Sequence, residues 1–156
     1  MDDIINDCSN ELSNFLDNDE DLMNLLHLIK KLNSLPQVTK QSRTDSRCLY
    51  EAISEGLNIS FLEQNIKEFF SPLEKPAGAN LPLKLKFSKT VRLLRGIRKN
   101  QSFFLRKTSA GEIYGALWPW QSNPQNITIF LGLTRDRIKD DDYQNLEKLV
   151  ERVLIK

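Results

Sequence analysis

Residues 102–118, SFFLRKTSAGEIYGALW, decide the fold class of this chain. Two apolar runs that contain Phe, Ile, Tyr and Trp flank the turn-forming residues Ser109, Ala110 and Gly111. Short β-prone runs separated by a turn with glycine are typical of a β-hairpin. We therefore predict antiparallel strands over residues 102–108 and 112–118.

The chain that follows the hairpin predicts another strand and a closing helix. Apolar residues occupy every second position between 127 and 133, the pattern of a half-buried strand. A stripe with helical spacing comes next, after a cap near Asp140, and is formed by Tyr143, Leu146, Leu149, Val150, Val153 and Leu154. This helix is the nearest cover for the apolar face of the sheet.

Upstream of the hairpin, residues 83–93 alternate between apolar and polar or basic side chains. Such a period of two predicts a further strand with one apolar and one basic face. A competing interpretation starts a helix after Ser88 and places Val91, Leu94 and Ile97 on one side. The sequence leaves both interpretations open.

Residues 1–71 predict a helical half with about four helices. Apolar stripes suggest one helix over residues 3–17, a second after a cap at Asp19, and a third around Cys48 to Leu57. A fourth helix begins with a capping box of Ser60 and Glu63. A polar connector covers residues 34–46, and a Pro-rich hinge covers residues 72–82. We expect an α+β fold: a helical N-terminal half, followed over residues 83–156 by a small antiparallel sheet of three to four strands and its C-terminal helix, in one compact domain overall.

The composition is that of an ordinary globular protein. The chain has 156 residues, of which 40% are hydrophobic and 28% charged. Cys8 and Cys48 do not form a C-x-x-C pair, so we expect buried free thiols. The N-terminus is acidic and lacks a secretory signal, and no apolar run reaches the length of a membrane span. We therefore expect a cytoplasmic protein that does not interact with a membrane.

The net charge of +1 hides a strong asymmetry along the chain. Residues 1–29 contain eight acids and no Lys or Arg, whereas residues 75–111 contain ten cations and no acid. Nine of these cations form a candidate binding face for an anionic partner, either RNA or DNA or an acidic protein: Lys84, Lys86, Lys89, Arg92, Arg95, Arg98, Lys99, Arg106 and Lys107. Two other interpretations remain open, a solvated sheet face and a face covered by the acidic first helix.

Catalytic and metal-binding motifs are missing from the sequence. No phosphate-binding loop, nucleophile elbow or H-E-x-x-H motif occurs. His27 is the single histidine, and the sequence nominates no partner for it, so we interpret it as a half-buried structural residue. The acids at 17–21 and 140–142 precede helices, where carboxylates act as caps. We therefore predict no enzymatic activity, no cofactor and no metal.

Trp118 and Trp120 flank Pro119, which cannot donate to a sheet ladder. Exposed tryptophans at such a rim would suit a protein interface. The sequence thus predicts a non-catalytic binding or regulatory protein that presents a basic sheet face to an anionic partner. Whether it is a subunit of a larger complex stays open. The alternative is a protein-protein adaptor or dimerisation module that uses this rim and the helical half. Both a homo-oligomer and a hetero-oligomer remain open.

Overall fold

A computed structural model describes residues 19–43, 48–70, 74–108, 111–135 and 138–154. Five helices and six strands occur in these ranges. In chain order they are α1 (Asp19–Asn33), β1 (Val38–Lys40), β2 (Cys48–Glu55), α2 (Ile59–Phe70), β3 (Glu74–Lys75), α3 (Leu83–Lys86), α4 (Lys89–Leu93), β4 (Ser102–Thr108), β5 (Gly111–Pro119), β6 (Asn126–Arg135) and α5 (Asp140–Leu154).

The strands form one sheet in the order β1-β2-β6-β5-β4-β3, and each neighbouring pair is antiparallel. The predicted hairpin is confirmed as β4 and β5, with Phe104 opposite Gly115. The strand predicted after it is confirmed as β6, which lies in the middle of the sheet between β2 and β5. The α+β class is therefore correct, although the sheet is larger than the three to four strands expected.

Three long helices cover one face of the sheet, which we call the first face. The apolar stripes of α1, α2 and α5 pack there on alternate residues of β2, β4, β5 and β6. Leu26 and Leu146 from the helices and Ile129 from β6 are each at most 1% exposed. The C-terminal helix thus covers the sheet as predicted, but it shares this role with α1 and α2.

The opposite face, the second face, is covered over β4, β5 and part of β6 by the chain between β3 and β4. Apolar side chains of this excursion, among them Leu85 and Val91, contact Phe103, Tyr114 and Ala116 of the sheet. Gly132 makes room for this packing, because a Cβ atom there would lie 2.7 Å from the ring of Tyr114. The second face therefore has its own small apolar core.

The helix predicted around Cys48 is wrong, since residues 48–55 form strand β2. This strand is hydrogen-bonded on both sides, to β1 and β6, and is buried on both faces along most of its length. A doubly buried strand shows a continuous apolar run instead of a period of two, so periodicity does not separate it from a helix. Cys48 itself is buried, as predicted, and its Sγ donates to Oε1 of Glu51 at 4.0 Å.

The strand predicted over residues 83–93 is also wrong, and the competing helical interpretation is confirmed. Ser88 is the N-cap of α4, and its Oγ accepts hydrogen bonds from the backbone N–H groups of Thr90 at 3.1 Å and Val91 at 3.4 Å. A side-chain acceptor at this position satisfies donors that the first helical turn leaves unpaired. The apparent period of two comes from two short helices in succession.

Smaller differences concern the N-terminal half. Asn58, not Ser60, caps α2, because its Oδ1 accepts from the N–H of Ser60 at 2.8 Å. The connector at 34–46 includes the short strand β1. The helix predicted over residues 3–17, with Cys8, lies outside the described residues. No helix in the described ranges combines the length and hydrophobicity needed to cross a membrane.

Candidate anion-binding surface

Seven of the nine predicted cations lie on the excursion that covers the second face. All seven side chains are exposed, and we call their outer side the basic surface: Lys84, Lys86, Lys89, Arg92, Arg95, Arg98 and Lys99. Leu85, Val91, Leu94 and Ile97 of the same segment point into the apolar core of the second face. The cations therefore belong to a layer on top of the sheet and not to a sheet face.

The excursion is folded back on itself by a turn after α4. Gly96 has a φ of 91° and Arg95 a φ of 62°, both in the left-handed region. The N–H of Gly96 donates to the carbonyl oxygen of Val91 at 2.9 Å, which closes the helix. Left-handed residues often terminate helices in this way. The turn leads the chain from α4 to the loop with Arg98 and Lys99.

A buried lysine holds this loop in place. Lys75 of β3 is 0% exposed, and its Nζ donates to the carbonyl oxygens of Arg98 at 3.0 Å, Lys99 at 2.7 Å and Gln101. Burial lowers the pKa of Lys75, and the nearby charge of Lys99 lowers it further, while Glu63 opposes the shift. Lys75 thus acts as a structural cation beneath the exposed ones.

The acid that follows the cationic tract, Glu112 of β5, is occupied within the fold. Its Oε1 accepts from Ser88 Oγ at 2.7 Å, from Thr90 Oγ1 at 2.9 Å and from the N–H of Thr90 at 3.1 Å. Because the hydroxyl proton of Thr90 goes to Glu112, the hydroxyl of Thr134 on β6 donates in turn to Thr90 Oγ1 at 2.6 Å. Glu112 therefore anchors the start of α4 to the sheet.

Two predicted cations lie on strand β4, outside the excursion. Arg106 points to the first face, where its Nε donates to Oδ1 of Asp21 at 2.5 Å and its guanidinium lies 5.3 Å from the ring centre of Phe69. Lys107 is exposed at the end of β4, opposite Glu112 in the strand register. The structure thus separates Arg106 from the other predicted residues.

Several described residues outside α3 and α4 form ion pairs. These pairs involve Lys40 with Glu151, Arg43 with Glu147, and Arg135 with Asp140, besides the pair of Arg106. Asp140, Asp141 and Asp142 occupy the first turn of α5, as predicted for caps. Within the described ranges, no group of three His, Cys, Asp or Glu side chains is placed to hold a metal ion.

The two tryptophans of the predicted rim differ in their surroundings. Trp118 packs against Phe130 with ring centres 4.6 Å apart, and its buried Nε1 has no acceptor among the described residues. Trp120 is 37% exposed, and its Nε1 donates to Oγ1 of Thr128 at 2.8 Å. One indole is therefore part of the second-face core, and the other lies at its rim.

Clefts beside α5 and between α1 and α2 are candidate small-molecule sites among the described residues. A cleft of about 470 Å³ beside α5 contains Arg135, Asp140 and Glu147, whose charges are already paired. A cleft of about 270 Å³ between α1 and α2 contains His27 and Glu68, but its lining residues include no hydroxyl group. His27 is exposed, not half-buried as expected. The lining of this second cleft therefore offers His27 no hydroxyl or thiol to activate.

Comparison with known proteins gives no match: no family model fits the chain, and no curated protein or solved structure is detectably similar to it. Function is therefore inferred from the basic surface itself. Residues 1–18 lie outside the described ranges, so the interpretation that the acidic N-terminus covers the basic surface stays a prediction. Within the described part of that acidic region, Asp21 forms an ion pair with Arg106 on the first face.

Sequence reasoning located the exposed cations and missed what positions them. In the sequence, Lys75 is the first cation of the acid-free tract, and Glu112 is the first acid after it. Neither role has a sequence signal, because each depends on a partner more than twenty positions away. The Ser88 cap was visible in the sequence and is the signal that favours a helical excursion over a strand.

Proposed function

We propose that this is a non-catalytic binding or regulatory protein that presents the basic surface to an anionic macromolecule. The observation that carries the proposal is the run of exposed cations over residues 84–99, without an intervening acid, on a segment anchored to the sheet. Solubility calls for charges of both signs interspersed, so a single-sign surface needs another explanation. Attraction of a polyanion supplies one.

The anchoring supports the proposal. Apolar side chains hold the segment on the second face, Lys75 holds its end, and Glu112 holds the start of α4. A segment fixed at several points loses little conformational freedom on binding, so more of the electrostatic attraction appears as affinity. The basic surface is therefore preorganised for a partner.

The test is binding of fluorescent oligonucleotides by anisotropy over a range of salt concentrations. The logarithm of the binding constant should fall linearly with the logarithm of the salt concentration, as expected when cations release counterions from phosphates. Changing Lys86, Arg92, Arg95 and Arg98 to Ala should weaken binding and reduce that slope by about 0.7 for each lost phosphate contact, or by roughly three in total.

The matched control neutralises the same number of exposed cations outside the basic surface. Lys31, Lys67, Lys139 and Lys148 are exposed and lie in or beside the long helices of the first face. This control variant should keep most of the slope. Equal slopes in both quadruple variants, or no salt-dependent binding by the unmodified protein, would contradict a nucleic-acid partner; a polyglutamate probe then tests the acidic-protein partner.

A second candidate is a protein-protein adaptor that uses the tryptophan rim. The exposed side chain of Trp120 favours it. Size-exclusion chromatography with light scattering tests this candidate. A dimer that is insensitive to salt and weakened by Trp120→Ala would support it, and a monomer at every concentration would contradict self-association through this rim.

A further inference from the structure

Two large apolar side chains protrude from the basic surface. Leu83 is 69% exposed and Phe87 is 76% exposed, the highest values among the large hydrophobic residues of the described ranges. Leu85, between them, is 2% exposed and belongs to the second-face core. The exposure is therefore confined to one side of α3, and the segment is anchored by the other.

Helix geometry explains how these side chains are arranged. Successive residues of an α-helix are rotated by about 100°, so positions two before and two after Leu85 lie on the side opposite to it. Leu83 and Phe87 then form an outward ridge, four residues apart. Lys84 and Lys86 lie on the two flanks of this ridge, and both are exposed. The surface thus combines an apolar ridge with a cation on either side.

We infer that the basic surface binds single-stranded nucleic acid, and that Phe87 is the side chain on which an unpaired base stacks. Proteins that bind single strands combine a positive groove for the backbone with aromatic side chains for the bases. Here Lys84 and Lys86 flank the aromatic face, and Arg92, Arg95 and Arg98 extend the charge along the excursion. This inference rests on the proposed function and specifies its partner.

Other anionic partners fit the ridge less well. Interfacial helices that bind lipid present a long apolar face, whereas α3 and α4 span four and five residues, and the large apolar side chains exposed on them or between them are Leu83, Phe87 and Leu93. An acidic protein would supply carboxylates for the cations but would not account for the aromatic face of Phe87 exposed beside those cations. A phosphate backbone with unpaired bases accounts for both features.

The decisive variant is Phe87→Leu, which keeps an apolar side chain and removes the aromatic face. Phe61→Leu is the matched control, since Phe61 is 43% exposed on α2, a helix of the first face. Binding is measured to an oligothymidylate and to an abasic sugar-phosphate oligomer of equal length. Both carry the same charge, so they differ only in the presence of the bases on which Phe87 would act.

We expect Phe87→Leu to weaken oligothymidylate binding by roughly ten-fold, to leave abasic binding unchanged, and to be rescued by Phe87→Trp. Phe61→Leu should change neither affinity. If Phe87→Leu has no effect, or affects both oligomers alike, the stacking inference is overturned while the salt dependence still supports the proposed function. Binding to phosphatidylserine vesicles or to polyglutamate without binding to oligothymidylate would also overturn it.

Discussion

The ammonium group of Lys75 donates a hydrogen bond of 2.7 Å to the carbonyl oxygen of Lys99. Lys75, on β3, is fully buried, whereas Lys99, in the loop before β4, is exposed. Two residues of the same type therefore have different roles at one loop. The buried charge orders the backbone that carries the exposed charge. The basic surface therefore depends on a cation that cannot itself contact a partner.

Replacing Lys75 by Met should lower the free energy of unfolding by about 2 to 4 kcal/mol, because three carbonyl oxygens lose a charged donor. Lys99→Met removes an exposed side chain and should change stability by no more than about 0.5 kcal/mol. Urea unfolding followed by circular dichroism measures both variants. Similar stabilities for the two would contradict a structural role of Lys75.

Arg106 and its neighbour Lys107 provide a second comparison. Arg106→Met leaves the carboxylate of Asp21, which is 5% exposed, without this partner and should cost about 1 to 3 kcal/mol of stability. Lys107→Met should cost no more than about 0.5 kcal/mol. Because Arg106 lies on the first face, its replacement should also leave oligonucleotide affinity close to that of the unmodified protein, once the fraction folded is taken into account.

Chemical denaturation and fluorescence anisotropy on the same samples check these two statements. A double-mutant cycle with Asp21→Asn separates the ion pair from the other contacts of Arg106. A coupling energy near zero, or a loss of oligonucleotide affinity in Arg106→Met equal to that in Arg98→Met, would contradict the separation of Arg106 from the basic surface.

Helices α1 and α5 bury one side only, and the first half of β6 alternates between buried and half-buried residues, so the period of each survives in the sequence. Strand β5 is buried on both faces and is instead recognised by its β-prone residues beside the hairpin turn. Strand β2 is buried on both faces, so its period is lost. The size of the sheet was underestimated for this reason.

The candidate surface was predictable in composition but not in position. The exposed cations are visible as an acid-free tract, yet alternation over residues 83–93 imitates a strand because α3 and α4 are each about one turn long. The buried contacts of Lys75 and Glu112 and the exposure of Phe87 depend on tertiary packing. A single sequence does not encode such contacts in any local pattern.

Stability should depend on pH in the alkaline range through two buried tyrosines. Burial raises the pKa of Tyr143 to about 12, and burial also raises the pKa of Tyr50 above its usual value of 10.0. The folded protein then retains protons that the unfolded chain releases, so the free energy of unfolding falls as pH rises above about 10. Each tyrosine contributes up to about 1.4 kcal/mol per pH unit.

Below pH 10.5, Lys75 has the opposite effect on the free energy of unfolding. Its lowered pKa means that the folded protein releases this proton before the unfolded chain does, so its contribution rises with pH up to the ordinary value of 10.5. Above that value only the tyrosines among these three groups change stability. Urea unfolding across this range should show a decline that is much flatter in the Tyr50→Phe, Tyr143→Phe double variant, and an equal decline in both proteins would contradict the assignment.

The attachment of α4 to the sheet gives the last prediction. Glu112→Gln keeps the size of the side chain but removes the charge that accepts from Ser88 and from both donors of Thr90. Hydrogen bonds to a charged acceptor contribute about 1.5 to 3 kcal/mol each when buried, and less here because Glu112 is partly exposed. We expect a loss of about 1 to 2 kcal/mol in local stability at α4.

Hydrogen exchange of the amides of Thr90 and Val91 measures this loss residue by residue. Protection at these amides should fall by roughly ten-fold, while amides in β6 keep their protection, because opening of α4 leaves the sheet intact. Glu55→Gln is the control, since Glu55 is exposed at the end of β2. If the start of α4 is loosened in this way, oligonucleotide affinity should fall as well, because the cations of a mobile segment must be ordered on binding. Unchanged protection in Glu112→Gln would show that the apolar contacts of Val91 and Leu85 hold α4 without help from this carboxylate.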